Sequence, residues 1–587
     1  MLRDKPQGQP DEKLGWGSDV AAQMLRRFKF PYVSLNPGAS YRGLHDSIVN
    51  HLGNERPSMI LCMHEDHSVA IAQGYAKATG EPMACVLHSN VGLMHGMMAI
   101  YNAFVDRAPM FILGATGPVD STQRRPYIDW IHTSADQGGM IRDFVKWDNQ
   151  PTSPDALVEA MVRANQMTRT QPCAPVYVCL DAGLQEASLE KEPSWPDLAR
   201  FQPPAPARPA RADVERALDL LKKAKRPIML VGRGSLSMES WNTRVKLAER
   251  LGACVMTDLK TAAVFPTDHP AHVAPPSNRM NSANRAILAE ADVILSLDWI
   301  DLGGTVAATG AHPTVSAPII HASLDQTLHN GAHMVYQALP PIDVNMAACG
   351  DAAAADLLEA LGEGRRDPWR ARLPTKARQP RADGKPTLTD VALALRESVK
   401  DPDRISITSN TRGWPSDVLP FRDPLAYLGK DGGGGLGSGP GISVGAALAL
   451  HDRGRLPVAT LGDGDFLMGG QAIWTAVRHR IPLLLIINNN RSYFNDELHQ
   501  ETVARRRNRP TENRWIGQRM SDPEVSLAKL AESQGATGIG PITRAADVMA
   551  AVKRGVEIVE NGGVCLIDFH IDPDEERGAA STGARRT

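Results

Sequence analysis

Two polar residues in the last third of the sequence, Asp463 and Asn490, follow apolar runs that are typical of buried β-strands. The run LPVATL precedes a Gly-Asp-Gly stretch, and the run IPLLLII precedes three asparagines. Residues 466–480 between them have helical spacing, so the pattern predicts a strand–helix–strand crossover with parallel strands. Both strand ends would then lie at one edge of a sheet, which is where open α/β sheets bind ligands.

The chemistry of that edge indicates a hard cation. A carboxylate and an amide oxygen suit magnesium, which completes its shell with water and phosphate oxygens. Gly462 and Gly464, on either side of Asp463, let the backbone approach a phosphate closely. A helix that begins near Phe466 would present free N–H groups to the same anion. The stretch therefore predicts a magnesium–diphosphate site, and an ordinary turn at a strand end is the alternative.

The elements that must position this edge belong to three blocks, which joints rich in proline and charge separate. We predict a first domain over residues 1–185, a central domain over 212–365, a third domain over 386–575 and a mobile tail over 576–587. Strand-like apolar runs alternate with helical stretches in each block. The predicted fold class is therefore α/β, with three doubly wound parallel-sheet domains.

The first and third blocks also share a faint internal repeat. GLMHGMMAIYNAFVDRAPMFIL in the first block resembles FLMGGQAIWTAVRHRIPLLLI in the third, with seven identical residues if one single-residue slip is allowed. A chance match between apolar helices would also explain this, but the shared register favours a duplicated sheet domain. Two such domains could face each other across a cleft, and domain interfaces are favoured ligand sites.

The composition argues against several classes of function. The 587 residues carry a net charge of −2, which gives no electrostatic case for a nucleic-acid partner. No apolar run reaches the ~18 residues of a membrane helix, and the first residues contain no apolar signal region, so no membrane partner is expected. Seven cysteines without a Cys-x-x-Cys pair indicate reduced thiols in a cytoplasmic protein.

The spacing from the Gly-Asp-Gly stretch to Asn490 is similar to the thiamine diphosphate motif. Most of the chain resembles enzymes such as acetolactate synthase and benzoylformate decarboxylase, which implies thiamine diphosphate and Mg²⁺ as cofactors. By this resemblance, Asp463, Asn490 and the backbone carbonyl of Ser492 would bind the magnesium. The stretch GGGGLGSGPGISVGAALAL would hold the pyrimidine ring, with the carbonyl of Gly434 accepting from its amino group and Leu436 bending the cofactor.

The resemblance also implies further cofactor contacts and a catalytic acid. Asn410 and Asp465 would contact the cofactor, together with Gly462 and Gly464. Glu65, in the stretch MHEDHSVAIAQGYAKATGEP, lies where the family has the glutamate that activates the pyrimidine ring. A carboxylate that merely stabilises a helix dipole is the alternative for Glu65. In relatives the cofactor lies between the first domain of one subunit and the third of another, which implies a homodimer or homotetramer.

The stretch HSNVG at residues 88–92 bears on the reaction. Benzoylformate decarboxylase has a similar HSxxG stretch with a catalytic histidine, and His88 matches that histidine. A structural histidine at a strand-to-helix turn is an equal alternative. The stretch NPGAS resembles the NPGS of the decarboxylase, although Ala39 replaces its substrate-binding serine, for which Ser40 could compensate.

The favoured function is therefore the non-oxidative decarboxylation of a 2-oxo acid. Ala115 or Thr116 stands where acetolactate synthases carry a glutamine, which weakens a synthase assignment. The central block lacks a flavin-related pattern, so FAD is not expected. A carboligase of the acetolactate synthase type and a 2-hydroxyacyl-CoA lyase stay open, and a non-catalytic paralogue is the least favoured reading. The arginine run 505–507 could meet an anionic substrate, but a solvated charge run is the preferred interpretation.

Three histidines lie close to Glu65 or His88 in the sequence: His64, His67 and His95. Each is expected to be structural rather than catalytic. The stretch HEDH is one residue short of the HExxH zinc pattern, so the sequence predicts no metal site there.

Overall fold

The computed structural model describes residues 4–11, 13–277, 280–310, 316–325, 340–374, 377–411 and 413–571. The predicted tail, residues 576–587, lies outside this part of the chain. The described strands form three parallel sheets, one in each predicted block, which confirms the predicted fold class. Within the same residues, no helix combines the length and the apolar character that crossing a bilayer requires.

The first sheet is built from the strands β1 (Tyr32–Leu35), β2 (Ser58–Leu61), β3 (Met83–Leu87), β4 (Met110–Thr116), β5 (Trp147–Asn149) and β6 (Pro175–Asp181). Its helices are α1 (Gly17–Arg27), α2 (Arg42–Asp46), α3 (Glu65–Thr79), α4 (Ser89–Val105), α5 (Ile128–Ile131), α6 (Pro154–Arg169) and α7 (Ala182–Glu186). The strand order is β2-β1-β3-β4-β6-β5. Alternate residues of β3 belong to two different core clusters, as Cys85 and Val86 do, because helices cover both faces of the sheet.

The second sheet has the strands β7 (Pro227–Val231), β8 (Cys254–Met256), β9 (Val293–Leu297), β10 (Ile319–Ala322) and β11 (Val344–Met346), in the order β11-β10-β9-β7-β8. Its helices are α8 (Arg211–Lys223), α9 (Met238–Leu251), α10 (Ser282–Ala289), α11 (Leu302–Ala307) and α12 (Gly350–Leu361). An ion-pair network joins it to the first unit, since Asp325 pairs with both Arg107 and Arg233. The central unit is therefore fixed against the end of α4.

The third sheet has the strands β12 (Ile405–Ser409), β13 (Leu456–Gly462), β14 (Leu483–Asn489), β15 (Thr537–Ile542) and β16 (Val564–His570), in the order β12-β13-β14-β16-β15. Its helices are α13 (Leu388–Ser398), α14 (Ser438–Leu450), α15 (Asp463–Gly469), α16 (Ala472–His479), α17 (Phe494–Arg506), α18 (Leu527–Glu532) and α19 (Val548–Glu560). This order repeats that of the first sheet without its edge strand β2. The two similar sequence stretches form equivalent crossovers, α4 between β3 and β4, and α15 with α16 between β13 and β14.

The crossover differs from the single helix expected over residues 466–480. The helix begins three residues earlier, at Asp463, and is interrupted between Gly469 and Ala472. Consecutive glycines are poor helix formers, which weakens the helix at this point. A Cβ atom on Gly469 would lie 1.9 Å from the carbonyl oxygen of Gly437, so this glycine also admits the neighbouring loop.

Helix α3 crosses α14 at very short range and joins the first unit to the third. A Cβ atom on Gly74 would lie 1.9 Å from the carbonyl oxygen of Ile442, and one on Gly445 would lie 1.9 Å from that of Ile71. Only glycine fits at these two points. Because α3 begins at Glu65 and α14 follows the glycine-rich loop, this crossing sets the relative position of two predicted site segments.

We expect Gly74→Ala to destabilise the protein, although alanine is the better helix former by about 0.5–1 kcal/mol. The added methyl group would overlap the Ile442 carbonyl, so α3 and α14 would have to separate. The expected net loss is about 1–3 kcal/mol of unfolding free energy, measured as a lower urea midpoint. Gly350→Ala is the control, because its methyl group would meet nothing nearer than 3.4 Å. Equal midpoints for Gly74→Ala and the unchanged protein would contradict the close crossing.

Candidate active site

The structure brings Asp463 and Asn490 together at the carboxyl edge of the third sheet. Strands β13 and β14 are parallel neighbours, with Gly462 opposite Asn488. The backbone N–H of Ser492 lies 3.2 Å from Asp463 Oδ2 and 2.9 Å from Asn490 Oδ1, and donates to both. A carboxylate oxygen and an amide oxygen therefore converge on one N–H group, as the predicted crossover requires.

Asp463 is buried, and the chemistry around it fits a divalent cation. Burial raises the pKa of Asp463 to about 6, although the N–H groups of Gly464, Arg491 and Ser492 lower it. The hydroxyl of Ser492 donates to Glu497 Oε1 at 2.6 Å, which holds this residue beside Asp463. Carboxylate, amide and carbonyl oxygens are the ligands that magnesium prefers. Their role as metal ligands stays a prediction.

The glycine-rich loop before α14 borders open space. Gly434 has a φ of 68°, which favours glycine, and nothing lies within 4 Å of a Cβ atom built on it. The space around Gly462 is equally open. Leu436 is a large apolar side chain with an exposed fraction of 47%. An open backbone beside an exposed leucine is suited to contact with an apolar ring.

Asp465 has a structural contact that the sequence did not indicate. Its Oδ1 accepts the N–H of Gly437 at 2.6 Å, and the N–H of Gly439 also donates to this carboxylate. Burial raises the pKa of Asp465, and these N–H groups lower it. The carboxylate thus stabilises the N-terminus of α14, where a negative charge is favoured. Asp465 positions the glycine-rich loop, and a direct contact with a cofactor stays a prediction.

Asn410 follows β12 at the same edge of the sheet. It is buried, yet its Oδ1 has no hydrogen-bond partner among the residues that the structure describes. A buried polar atom without a partner costs free energy unless a ligand or water satisfies it. The adjacent residue, Thr411, donates its N–H to the Thr460 hydroxyl on β13 at 3.2 Å. The amide oxygen of Asn410 can therefore accept a hydrogen bond from a ligand at this edge.

Glu65 is the first residue of α3, and its side chain is buried. His64 caps the helix, with its Nδ1 accepting the N–H of Asp66 at 3.1 Å. On the other side, Glu65 Oε2 lies 3.0 Å from Nδ1 of His95 on α4. A Cβ atom on Gly92 would lie 3.2 Å from Glu65 Oε1, so this glycine leaves room for the carboxyl group. Glu65 thus has specific side-chain contacts in addition to its place at a helix N-terminus.

His88 lies next to Gly92, as Glu65 does. The same Cβ position on Gly92 would be 3.2 Å from His88 Cβ, so the glutamate and the histidine flank one glycine. Nδ1 of His88 lies 2.8 Å from the Ser40 hydroxyl. A Cβ atom on Gly38 would be 2.3 Å from His88 Cβ, so the segment that carries Ser40 packs directly on this histidine.

The surroundings of His88 favour its neutral form. Burial lowers the pKa of His88, and His132 and Arg125 lower it further, whereas Glu65 raises it. The rings of His88 and His132 are perpendicular, with centroids 4.8 Å apart. A histidine whose pKa lies below its ordinary value is mostly neutral at pH 7. The sequence did not predict the contact with His132, which is 44 residues away.

The predicted residues form two clusters within one chain. Among the described residues, no hydrogen bond joins Glu65 to Asp463. Each carboxyl group is bound within its own sheet unit. An electrostatic link between the two units joins Asp66 to Asp465, because partial burial raises the pKa of Asp66 to about 6 and the charge of Asp465 raises it as well. The crossing of α3 and α14 therefore brings the two units together without merging the two clusters.

Sequence reasoning missed Glu497, which supports the predicted metal edge. Glu497 is buried in the first turn of α17 and accepts the Ser492 hydroxyl. Its carboxylate also pairs with Nε of Arg514 at 3.1 Å and with Nε of Arg519 at 3.2 Å. No sequence pattern marks this acid, because its partners follow at irregular distances in a loop. Glu497 fastens the segment after the edge to Ser492.

At one position of the arginine run 505–507, the structure supports the interpretation as a solvated charge run. Arg505 pairs with Glu501 one turn earlier on α17, and its side chain is 71% exposed. Such a pair is typical of a solvated helix face. An anion-binding role for the run stays untested.

Three family models match separate parts of the chain. The N-terminal TPP binding domain of thiamine pyrophosphate enzymes matches residues 15–140, and the central domain of these enzymes matches residues 214–360. Their C-terminal TPP binding domain matches residues 408–569. Each match falls within one of the three sheet units, although the first ends before β5 and β6, and the order of the units along the chain is that of the family.

Individual proteins with similar sequences or structures include decarboxylases and a synthase. The chain is 28% identical to benzoylformate decarboxylase of Pseudomonas aeruginosa over 501 residues, which cover 80% of this chain and 85% of that protein. It is 24% identical to a probable acetolactate synthase large subunit of Methanocaldococcus jannaschii, over 93% of this chain and 90% of that protein. The crystal structure of benzoylformate decarboxylase from Polynucleobacter necessarius matches with a TM-score of 0.79 at 19% identity, covering 95% of this chain and 99% of that one. At that identity the structural likeness shows the fold alone.

We expect Glu497→Gln to loosen the segment between Ser492 and Arg519. The substitution removes the charge that holds two guanidinium groups, and charged hydrogen bonds of this kind are worth about 1.5–3 kcal/mol. Limited trypsin digestion should then cleave this arginine-rich segment about tenfold faster. Glu512→Gln is the control, since Glu512 is exposed in the same segment. Equal cleavage rates for both variants would show that Glu497 does not fasten the segment.

Proposed function

This chain belongs to the thiamine pyrophosphate enzyme family, and we propose that it decarboxylates a 2-oxo acid without oxidation. The observation that carries this choice of reaction is the contact of His88 with Ser40, next to the Gly92 that also borders Glu65. The chain is an enzyme of decarboxylase or carboligase type that depends on thiamine diphosphate. Its similarity to a benzoylformate decarboxylase supports the first of these two types.

We assign Mg²⁺ to Asp463, Asn490 and the backbone carbonyl of Ser492. The convergence of the two side-chain oxygens on one N–H group supports this ligand set. When bound, thiamine diphosphate supplies an electron sink for the carbanion that remains after CO₂ leaves. The open backbones of Gly434 and Gly462 and the exposed Leu436 support a cofactor site along this edge.

We assign the remaining cofactor contacts to residues at the same edge of the third sheet. The unpartnered amide oxygen of Asn410 supports a polar contact with the cofactor. Gly464 leaves no room for a side chain, because a Cβ atom there would lie 2.7 Å from the ring of Tyr493. Asp465 acts through the loop that it holds, and it keeps Leu436 beside the edge.

Glu65 holds the proton that activates the cofactor. Its Oε2 faces His95, so Oε1 is the oxygen that presents the proton to a ring nitrogen of the pyrimidine. Gly92 supports this role because it leaves space beside Oε1. A positioned acid of this kind contributes roughly 10²–10⁴ in rate.

His88 acts as the proton donor to the product. Two groups of Ser40 face Nδ1 of His88, its hydroxyl at 2.8 Å and its N–H at 3.4 Å. The N–H of Ser89 donates to the Ser40 hydroxyl, which therefore directs its own proton to Nδ1. With Nδ1 accepting, the proton of the neutral imidazole lies on Nε2. Ser40 thereby orients the neutral ring with its proton on Nε2, and to act as an acid His88 takes up a second proton and donates from the imidazolium, which returns it to this neutral form.

We also propose that the enzyme works as a homodimer or a homotetramer, with each active site between two subunits. The separation of the Glu65 and Asp463 clusters within the chain supports this arrangement. Family membership supports it as well, because enzymes of this family are typically oligomeric.

A carboligase is the second candidate. The similarity to a probable acetolactate synthase extends over 93% of the chain, which favours this alternative over a lyase. The two reactions differ only after CO₂ has left, when the acceptor is either a proton or a second carbonyl group. A proton donor at His88 favours the first outcome.

The substrate class is tested by incubating the protein with thiamine diphosphate, Mg²⁺ and a panel of aromatic, branched and short 2-oxo acids. We expect CO₂ and one equivalent of aldehyde with at least one of them. An acetohydroxy acid would support the carboligase instead, and cleavage of 2-hydroxyacyl-CoA thioesters alone would support a lyase. Bound cofactor without turnover of any substrate would contradict an enzymatic role.

We expect Glu65→Gln to reduce kcat at least about 100-fold, because the amide cannot hold the activating proton. Binding of thiamine diphosphate should change by no more than a few fold, as measured by calorimetry, since the metal edge lies in another unit. Glu81→Gln is the control, because Glu81 is exposed beyond the far end of α3. A Glu65→Gln variant with unchanged kcat would remove the assigned role.

A further inference from the structure

His64, His95 and Glu65 form a cluster, and the proposed reaction assigns no role to the two histidines. One ligand atom from each of His64, Glu65 and His95 lies within 4.8 Å of the other two. The rings of the two histidines stack with centroids 4.9 Å apart and an angle of 26° between their planes. No zinc pattern was recognisable in the sequence here, because His95 comes from α4, 30 residues after Glu65.

We propose that this cluster binds a divalent transition-metal ion of the zinc class when the cofactor is absent. Two imidazoles and one carboxylate are a ligand set that zinc uses with an open fourth position. The 3.0 Å between Glu65 Oε2 and His95 Nδ1 suits two adjacent ligands on a metal whose bonds are about 2.0–2.1 Å long. Magnesium is disfavoured because it prefers oxygen ligands.

Solvent can reach the cluster and complete the coordination. The His95 side chain is 59% exposed, whereas that of Glu65 is only 10% exposed. The carboxylate thus forms the inner wall of the cluster, and the histidine forms its outer rim. Water can occupy the remaining position of a tetrahedral ion.

Binding requires two local exchanges. The ion takes the place of the proton between Glu65 Oε2 and His95 Nδ1. His64 must also release the N–H of Asp66, which its Nδ1 accepts at 3.1 Å. Coordination through Nδ1 uses that lone pair, and coordination through Nε2 moves the imidazole proton to Nδ1. The N-cap of α3 is therefore lost on binding, whichever nitrogen is used.

Binding of the ion and binding of the cofactor should each weaken the other. This consequence rests on the role proposed for Glu65. An ion bound through Oε2 holds Glu65 as a carboxylate, so Oε1 can no longer carry the activating proton and Glu65 cannot activate the cofactor. Linkage makes the effect reciprocal, because a cofactor that engages Glu65 must weaken the ion by the same factor.

The test titrates the cofactor-free, full-length protein with Co²⁺, whose visible absorption is strong in tetrahedral sites with nitrogen ligands and weak in octahedral oxygen sites. We expect a strong band that saturates at one Co²⁺ per chain, and Zn²⁺ should abolish it by displacement. His64→Gln and His95→Gln should each weaken binding at least about tenfold. His451→Gln, at the far end of α14, should leave the band unchanged and controls for loss of any histidine.

A second variant separates the cluster from the predicted magnesium edge. Asp463→Asn should retain the Co²⁺ band, because its oxygens belong to the other cluster. Loss of the band in Asp463→Asn with retention in both cluster variants would overturn the proposal, as would the absence of a strong band. Circular dichroism of each variant shows whether loss of the band reflects unfolding. His64 and His95 are replaced separately, so that if one variant unfolds the other still tests the site.

A final measurement distinguishes failure of the proposed metal site from failure of the proposed function. Saturating Mg²⁺ and thiamine diphosphate should weaken Co²⁺ binding at least about tenfold. If the Co²⁺ band requires His64 and His95 but the cofactor does not weaken Co²⁺ binding, the metal site is supported and the role assigned to Glu65 is contradicted. If the cofactor binds and turnover occurs but no band forms, the proposed function stands and the metal site fails.

Discussion

A buried carboxylate at the tip of a central strand is the constraint around which the third unit is organised. Asp463 lies between apolar strands, and among the described residues no arginine, lysine or histidine forms an ion pair with it. Backbone N–H groups partly compensate its burial, and the remaining cost favours a bound cation. The parallel pairing of β13 with β14 supplies the second oxygen, because it brings the loop of Asn490 to the same edge.

The neighbouring contacts maintain this edge. Asp465 fixes the N-terminus of α14, and Glu497 fixes the hydroxyl of Ser492, so charged groups hold the loops on both sides. The crossing of α14 with α3 then connects the edge to the first unit, where Glu65 begins its helix. Within one chain, the proposed metal edge and the proposed catalytic acid are therefore linked through two helices that glycines bring into close contact.

The parts of this arrangement that depend on local periodicity could be predicted from the sequence. Apolar strands and a helical interval predicted the crossover, and topology then placed Asp463 near Asn490. The sequence did not predict the break after Gly469, the contact of Asp465 with α14 or the role of Glu497, because these depend on which loop approaches from elsewhere in the chain. His95 was expected to be structural for the same reason, since its contact with Glu65 depends on how α4 packs against α3. The sequence did not predict the adjacency of Glu65 and His88 either, because no local pattern relates a helix start to the next crossover.

The central claim is that the paired strand tips bind the divalent ion of thiamine diphosphate. The most direct test is a crystal structure of the protein with thiamine diphosphate and Mn²⁺ in place of Mg²⁺, with the ion located by its anomalous scattering. The account predicts a single peak at the edge of the third sheet, about 2.1 Å from side-chain oxygens of both Asp463 and Asn490. A diphosphate-bound ion elsewhere, with these two oxygens outside its coordination shell, would contradict it.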